Sequence, residues 1–154
     1  MPIDPLENYP GYSLRRASAV NMSKLARRFG AIDLAPTEAT LLMVIDANPN
    51  ITQSEIGKML DIASANIAPL VSRLAERELV ERQPIDGRSY GLVLTSHGAR
   101  ITAKAKRTVA THEDELLARI PPAQRNDILS RNARMFPRIH TPAAAQVTGR
   151  RQTG

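Results

Sequence analysis

The sequence predicts a mainly helical chain with one small β-hairpin. The hairpin signal is the run LVERQPIDGRSYGLVLTSHG over residues 79–98. Two short apolar runs, Leu79–Val80 and Leu92–Leu94, flank a polar tip, Ile85-Asp86-Gly87-Arg88. Asp-Gly between such runs marks a tight turn, because the turn needs residues that tolerate positive φ. Directly upstream lie two short helical patterns separated by a three-residue break. Longer helical patterns occupy both ends of the chain. The three observations together describe a winged helix–turn–helix whose terminal helices form a dimerisation bundle.

The elements follow in order. Residues 1–10 carry two prolines before Tyr9-Pro10-Gly11 and read as an extended arm. A first helix runs from Tyr12 to about Phe29, marked by Leu14, Ala17, Met22, Leu25 and Phe29, and Gly30 ends it. Pro36 and Thr37 start a second helix that reaches Ala47, with proline at or near its cap. Its run Leu41-Leu42-Met43-Val44-Ile45 is apolar nearly all round, which predicts a buried helix. Asn48-Pro49-Asn50 breaks it.

The third helix has the clearest start. Thr52 is an N-cap with Glu55 three residues on, a capping box, and Ile51 can pack on Ile56 as a hydrophobic staple. Asp61-Ile62-Ala63 is the turn, and Ser64 reads as the cap of the fourth helix. Ile67, Leu70, Val71 and Leu74 recur at i, i+3, i+4 and i+7, which commits one face to the core. Pro69 removes one backbone hydrogen bond within this helix. Thr95-Ser96 caps a fifth helix running to about Ile120. Its seam of Ile101, Ala105, Val109, His112 and Leu116 suits a partner helix. Pro121-Pro122 starts a last helix that Pro137 ends. The DNA-binding part is thus 37–95, the dimerisation helices are 11–30 and 96–137, and residues 138–154 form a flexible basic tail.

The chain has 154 residues and a net charge of +6, a size that suggests one domain. Seventeen of its 21 basic residues are Arg. Guanidinium groups form bidentate contacts with phosphate and guanine, so an anionic partner is indicated, nucleic acid first. The competing explanation is an Arg-rich, high-GC genome. The absence of cysteine excludes disulfides, thiol chemistry and Cys-ligated zinc. No apolar run has the length of a membrane span and no signal peptide is recognisable, so a cytoplasmic protein is expected. Aromatic residues are 3% of the chain, which argues against a stacking platform for single strands.

The exposed side of the fourth helix carries the chemistry. Small residues there, Ser64, Ala65 and Ala68, let a backbone approach base edges, and Pro69 and Ser72 continue the same face. Asn66 can pair bidentately with adenine, and alanine can touch a thymine methyl. Arg73 and Arg77, further along, are placed to reach phosphates. Gln53 and Ser54 offer donors at the positive end of the third helix. At the hairpin tip, Arg88 on a β-ribbon is shaped for the minor groove. A solvated surface is the competing explanation for each residue taken singly.

The run QSEIGKMLDIASANIAPLVSRLAERELVERQPIDGRSYGLVLTSHG resembles the MarR family of bacterial transcriptional regulators. The strongest elements are Leu79-Val80-Glu81-Arg82, Asp86-Gly87-Arg88 and Leu94-Thr95-Ser96-His97-Gly98, and the resemblance covers about residues 11–136. It implies a homodimer on double-stranded DNA with a palindromic operator, released by a small-molecule effector. It implies further that helix four reads the major groove, that Arg88 enters the minor groove, and that Asp86 orients Arg88 by ion pairing. One departure is Glu78, where many members have Gly before the wing. A non-Gly residue in left-handed geometry there is strained by about 1 kcal/mol. The segment 10–17, PGYSLRRA, resembles the first helix of members that control catabolism of aromatic acids or their CoA thioesters. That resemblance implies that Arg15 or Arg16 holds a carboxylate or phosphate, with Tyr12 and Ser13 beside the ligand. The alternative is that both arginines are solvated and Tyr12 lies in the dimer core.

Rival classes are weaker. No Ser/His/Asp arrangement or Gly-rich phosphate loop supports an enzyme. His112-Glu113-Asp114-Glu115 reads as one seam histidine beside a solvated acidic turn, so no metal or cofactor is expected. A winged helix serving protein–protein contacts is the alternative function, because fold alone does not choose between them. Arg150 and Arg151 in the tail are either a mobile basic arm or a disordered end.

Overall fold

The computed structural model describes residues 4–86 and 89–135. Met1–Ile3 of the arm, Gly87 and Arg88 of the hairpin tip, and Pro137 with the basic tail lie outside the described residues, as does the Ser64 side chain. Six helices and one hairpin are present among the described residues: α1 (Pro10–Gly30), α2 (Pro36–Ala47), α3 (Gln53–Leu60), α4 (Ser64–Glu76), β1 (Val80–Asp86), β2 (Ser89–Leu94), α5 (Ser96–Leu117) and α6 (Pro122–Met135). The chain divides into two compact units, Met1–His112 and Glu113–Gly154, with the division inside α5.

The first unit holds the core. Phe29 of α1, Leu41, Leu42 and Ile45 of α2, Ile56 of α3, Ile67, Val71 and Leu74 of α4, Leu79 just before β1, Leu92 of β2, and Ala105 of α5 belong to one buried cluster. The nearly all-round apolar run of α2 is indeed largely buried, from Ala39 to Ile45. Ile51 and Ile56 are both in the cluster, as the staple requires. The seam histidine of α5, His112, is buried, and its Nε2 lies 2.8 Å from Asn21 Oδ1 of α1. In the second unit, the Arg125 side chain donates to the Ile120 carbonyl at 2.9 Å, and Arg131 pairs with Asp127 at 3.1 Å.

Three expectations are corrected. Residues 5–8 are a turn, not an extended arm: Asp4 Oδ1 accepts the Leu6 N–H at 3.0 Å and Leu6 O accepts the Tyr9 N–H at 3.0 Å. A short carboxylate hydrogen-bonding its own backbone two residues on favours such a turn. The first helix accordingly starts at Pro10, the N1 position that tolerates a missing N–H. The N-cap of α4 is Ala63, with no side-chain cap bond, and Ser64 is already helical. The turn is set upstream by Asp61, which is left-handed at φ 53°, so the helix begins one residue earlier than the cap chemistry of serine implies.

The hairpin pairs antiparallel, Val80 with Leu94 through Pro84 with Tyr90, and an irregularity between Pro84 and Asp86 leads into the tip. On its outer side β2 is bridged by the α2–α3 connection: Asn50 N–H donates to Leu92 O at 3.0 Å, and Leu92 N–H donates to Ile51 O at 2.9 Å. Gly91 makes this approach possible, because a Cβ there would stand 2.5 Å from Asn50 O.

Candidate nucleic-acid interface

The interface rests on a helix with two unlike faces. Ile67, Val71 and Leu74 of α4 are completely buried, which fixes the rotation of the helix. On the other side of the helix, Ala65, Asn66, Ala68, Pro69, Ser72 and Arg73 are all exposed, while Leu70 and Ala75 are half-buried against the core. Six of the predicted contact residues therefore share one solvent-facing surface. Pro69 sits inside the helix on that face. The Ala63 carbonyl accepts the Asn66 N–H at 2.8 Å and closes the first turn.

At the start of α3 the capping box is complete. Glu55 N–H donates to the Thr52 hydroxyl oxygen at 3.3 Å, and Thr52 N–H donates to Glu55 Oε2 at 2.8 Å. The Thr52 backbone bond, and then the Thr52 hydroxyl, hold the Glu55 carboxyl below the ordinary carboxylate range. Ser54 is exposed and Gln53 half-buried at the same helix end.

In the wing, Asp86 Oδ1 accepts the Ser89 N–H at 2.7 Å, which ties the two sides of the tip together. The expected Asp86–Arg88 ion pair falls on Arg88, outside the described residues.

Arg77 is placed differently from the helix-four face. It lies at the C-cap of α4, and its guanidinium is turned toward the connection between α1 and α2. Nη2 donates to the Asp33 carbonyl at 2.6 Å and to Asp33 Oδ2 at 2.9 Å, and Nη1 donates to Glu38 Oε2 at 3.2 Å. Arg73 Nε stands 3.7 Å from the other Glu38 oxygen. Glu38 is buried, and it also accepts the Ala35 N–H at 2.9 Å, the carboxylate half of a capping box for α2. Asp33 and Glu38 were not singled out from sequence. Glu38 is legible as a helix-start carboxylate, but nothing local pairs it with a residue 39 positions away.

The four ligand candidates lie in the first turns of α1. The guanidinium carbons of Arg15 and Arg16 stand 5.0 and 5.7 Å from the centroid of the half-buried Tyr12 ring. Asp4 joins them: its Oδ2 accepts from Arg16 at 3.0 Å and from the Tyr12 hydroxyl at 3.5 Å. Ser13 is exposed. A separate cavity of about 350 Å³ opens between the α2–α3 connection and α3, lined by Asn48, Pro49, Asn50, Ile51, Glu55 and Met59; none of the four lines it.

No helix among the described residues is long and apolar enough to cross a membrane. Comparison with known proteins places this architecture. The chain is 28% identical over 129 residues to a Thauera aromatica protein described as a transcriptional regulatory protein for the hcr operon, covering 82% of this chain and 78% of that protein. It superimposes on the transcriptional repressor CouR bound to a 23-mer DNA duplex with a TM-score of 0.79 and 33% identity, over 88% of this chain and 97% of that one. CouR bound to p-coumaroyl-CoA gives a TM-score of 0.78 and 32% identity, over 88% and 96%. The MarR family model matches residues 32–89, which span the end of the α1–α2 connection, the helix–turn–helix and most of the wing. With the winged fold, the exposed α4 face and these likenesses in agreement, the chain belongs to the MarR family of transcriptional regulators.

Proposed function

We propose that this regulator is a homodimeric repressor that binds a pseudo-palindromic operator and leaves it when a small ligand binds. The observation that carries the reading is the two-faced α4, with three core residues fully buried beneath a continuous exposed surface of small and polar residues. Such a surface fits the major groove, where Asn66 reads a base edge and Ala65 and Ala68 permit close approach. Exposed apolar residues on α1, Leu14, Val20 and Met22, support its packing against a second copy. An isologous dimer presents its two reading helices about one helical turn of DNA apart.

The likeness to CouR with p-coumaroyl-CoA and the cationic, aromatic start of α1 support an effector of the same chemical class. Tyr12, Ser13, Arg15 and Arg16 would receive an aromatic carboxylate or an acyl-CoA. Ligand binding changes the separation of the two reading heads, and a coupling of about 1–3 kcal/mol gives a five- to 150-fold release.

The experiment is a titration of the purified protein on its own upstream intergenic DNA at several salt concentrations. It is repeated with aromatic acids and their CoA thioesters. Sequence-specific, salt-sensitive binding abolished by one compound is the expected result. Weak binding indifferent to sequence overturns the reading.

A further inference from the structure

We infer that Arg77 is a positioning residue of the DNA-reading helix and does not contact phosphate; the inference rests on the DNA-binding reading above. Its position near the end of α4 on a basic chain suggests a phosphate ligand, but its surroundings do not. Three of its five N–H donors are engaged, two by Asp33 and one by Glu38. Two carboxylates, Glu38 and Asp33, face the two guanidinium groups of Arg73 and Arg77 within 4 Å, so the cluster is close to electroneutral. A neutral cluster releases few counterions from DNA.

The same contacts form a strap. Glu38 is held at the first turn of α2, its oxygens shared between the Ala35 N–H and the arginines. Asp33 is left-handed, at φ 54°, and presents both its carbonyl and its carboxylate to one nitrogen of Arg77. One planar guanidinium thus joins the C-terminal end of α4 to the α1–α2 connection at Asp33 and to the first turn of α2 at Glu38. The buried apolar face fixes how α4 is rotated. The strap fixes where its far end lies, and so the angle at which Asn66 and Ser72 meet a groove. Lysine has the charge of arginine but not its rigid fork, so it cannot make the same three bonds.

The test compares wild type, Arg77→Ala, Arg77→Lys and Asp33→Asn on an operator fragment and on a scrambled duplex at several salt concentrations. Thermal melts establish that each variant is folded at the assay temperature. Asp33→Asn guards against a failure to fold, since Asn tolerates positive φ and the carbonyl contact stays. Loss of positioning lowers the ratio of operator to scrambled affinity by roughly tenfold, the scale of one mismatched base pair, in both Arg77 variants. The slope of log affinity against log salt stays at its wild-type value, and Asp33→Asn does not bind more tightly. A phosphate contact predicts the opposite pattern. Arg77→Lys then binds like wild type, and Arg77→Ala weakens both duplexes equally. The slope falls by about 0.9 for each guanidinium lost, and removing the Asp33 charge raises affinity. Any of these four results overturns the inference. Absence of operator preference in the wild type overturns the DNA-binding reading itself.

Discussion

The Thr95 hydroxyl donates to the Glu78 carbonyl at 2.6 Å, across 17 residues, while its oxygen accepts the Gly98 N–H at 2.9 Å. One side chain therefore caps the start of α5 and ties down the end of α4. The backbone reinforces the tie, with Thr95 N–H donating to Leu79 O at 3.1 Å. Gly98 is needed because a Cβ at that position would collide with the Leu79 carbonyl.

Thr95→Val removes both bonds while keeping the shape. The expected loss is about 2 kcal/mol, roughly one for the cap and one for the second hydrogen bond. Chemical denaturation of wild type and variant measures it directly, and a loss confined to a few tenths would show that water replaces the hydroxyl.

Glu78 adopts φ 55°, the strained geometry that its departure from glycine implied. Its N–H donates to Ala75 O, and the Leu79 N–H reaches back to Leu74 O, both at 2.9 Å, which is how a helix end closes through a left-handed residue. Glu78→Gly relieves the strain but adds freedom to the unfolded chain. The net gain is expected to be at most about 0.5 kcal/mol, visible as a Tm higher by about one or two degrees.

Because the Glu55 carboxyl is held below the ordinary carboxylate range, its contribution to stability is fully present above that range. It is lost as the pH falls through the depressed value, since the unfolded chain takes up the proton first. Glu55→Gln is therefore expected to be less stable than wild type at neutral pH, with the gap closing in acid. Denaturation midpoints at neutral pH and below pH 4 provide the comparison, and a gap that is constant with pH would dismiss the capping carboxylate.

Asn66 is exposed and helical, so Asn66→Ala leaves the fold intact and affects recognition alone. The proposed adenine contact predicts a loss of about 1–3 kcal/mol in operator affinity, concentrated at one base pair of each half-site. The salt slope is unchanged, because no charge is removed. Binding to a set of single-base operator variants reads out the position, and a uniform response across the set would show that Asn66 does not read a base.

Sequence and structure agree where the determinants are local. Thr52 and Glu55 are three residues apart, and the two strands of the hairpin carry adjacent apolar runs, so each is visible in a short window. Ile67, Val71 and Leu74 are legible because the 3.6-residue period alone commits them to one side. The cap of α4 falls on Ala63 and not on the expected Ser64 because helix starts depend on the preceding turn, here Asp61, as much as on capping chemistry. The role of Arg77 is missed for a different reason. Its partners, Asp33 and Glu38, lie 44 and 39 residues away, and only tertiary packing brings them to it. A charge at the end of a reading helix looks the same in sequence whether it faces a phosphate or a carboxylate.

The register of the wing also governs how the molecule behaves in concentrated solution. A protruding two-stranded ribbon has two outer edges, and a bare edge is a template for strand addition and aggregation. Here neither edge is bare along its length. The Asn50–Ile51 segment already occupies the outward-pointing groups of Leu92 on β2. Arg82 pairs with Leu92 and Pro84 with Tyr90, so by alternation the positions of β1 that point outward include Pro84, which has no N–H to offer a third strand. The proline costs the hairpin no internal bond and denies an incoming chain its hydrogen-bond donor. Each edge of the ribbon thus lacks part of the hydrogen-bonding register that a second copy would need.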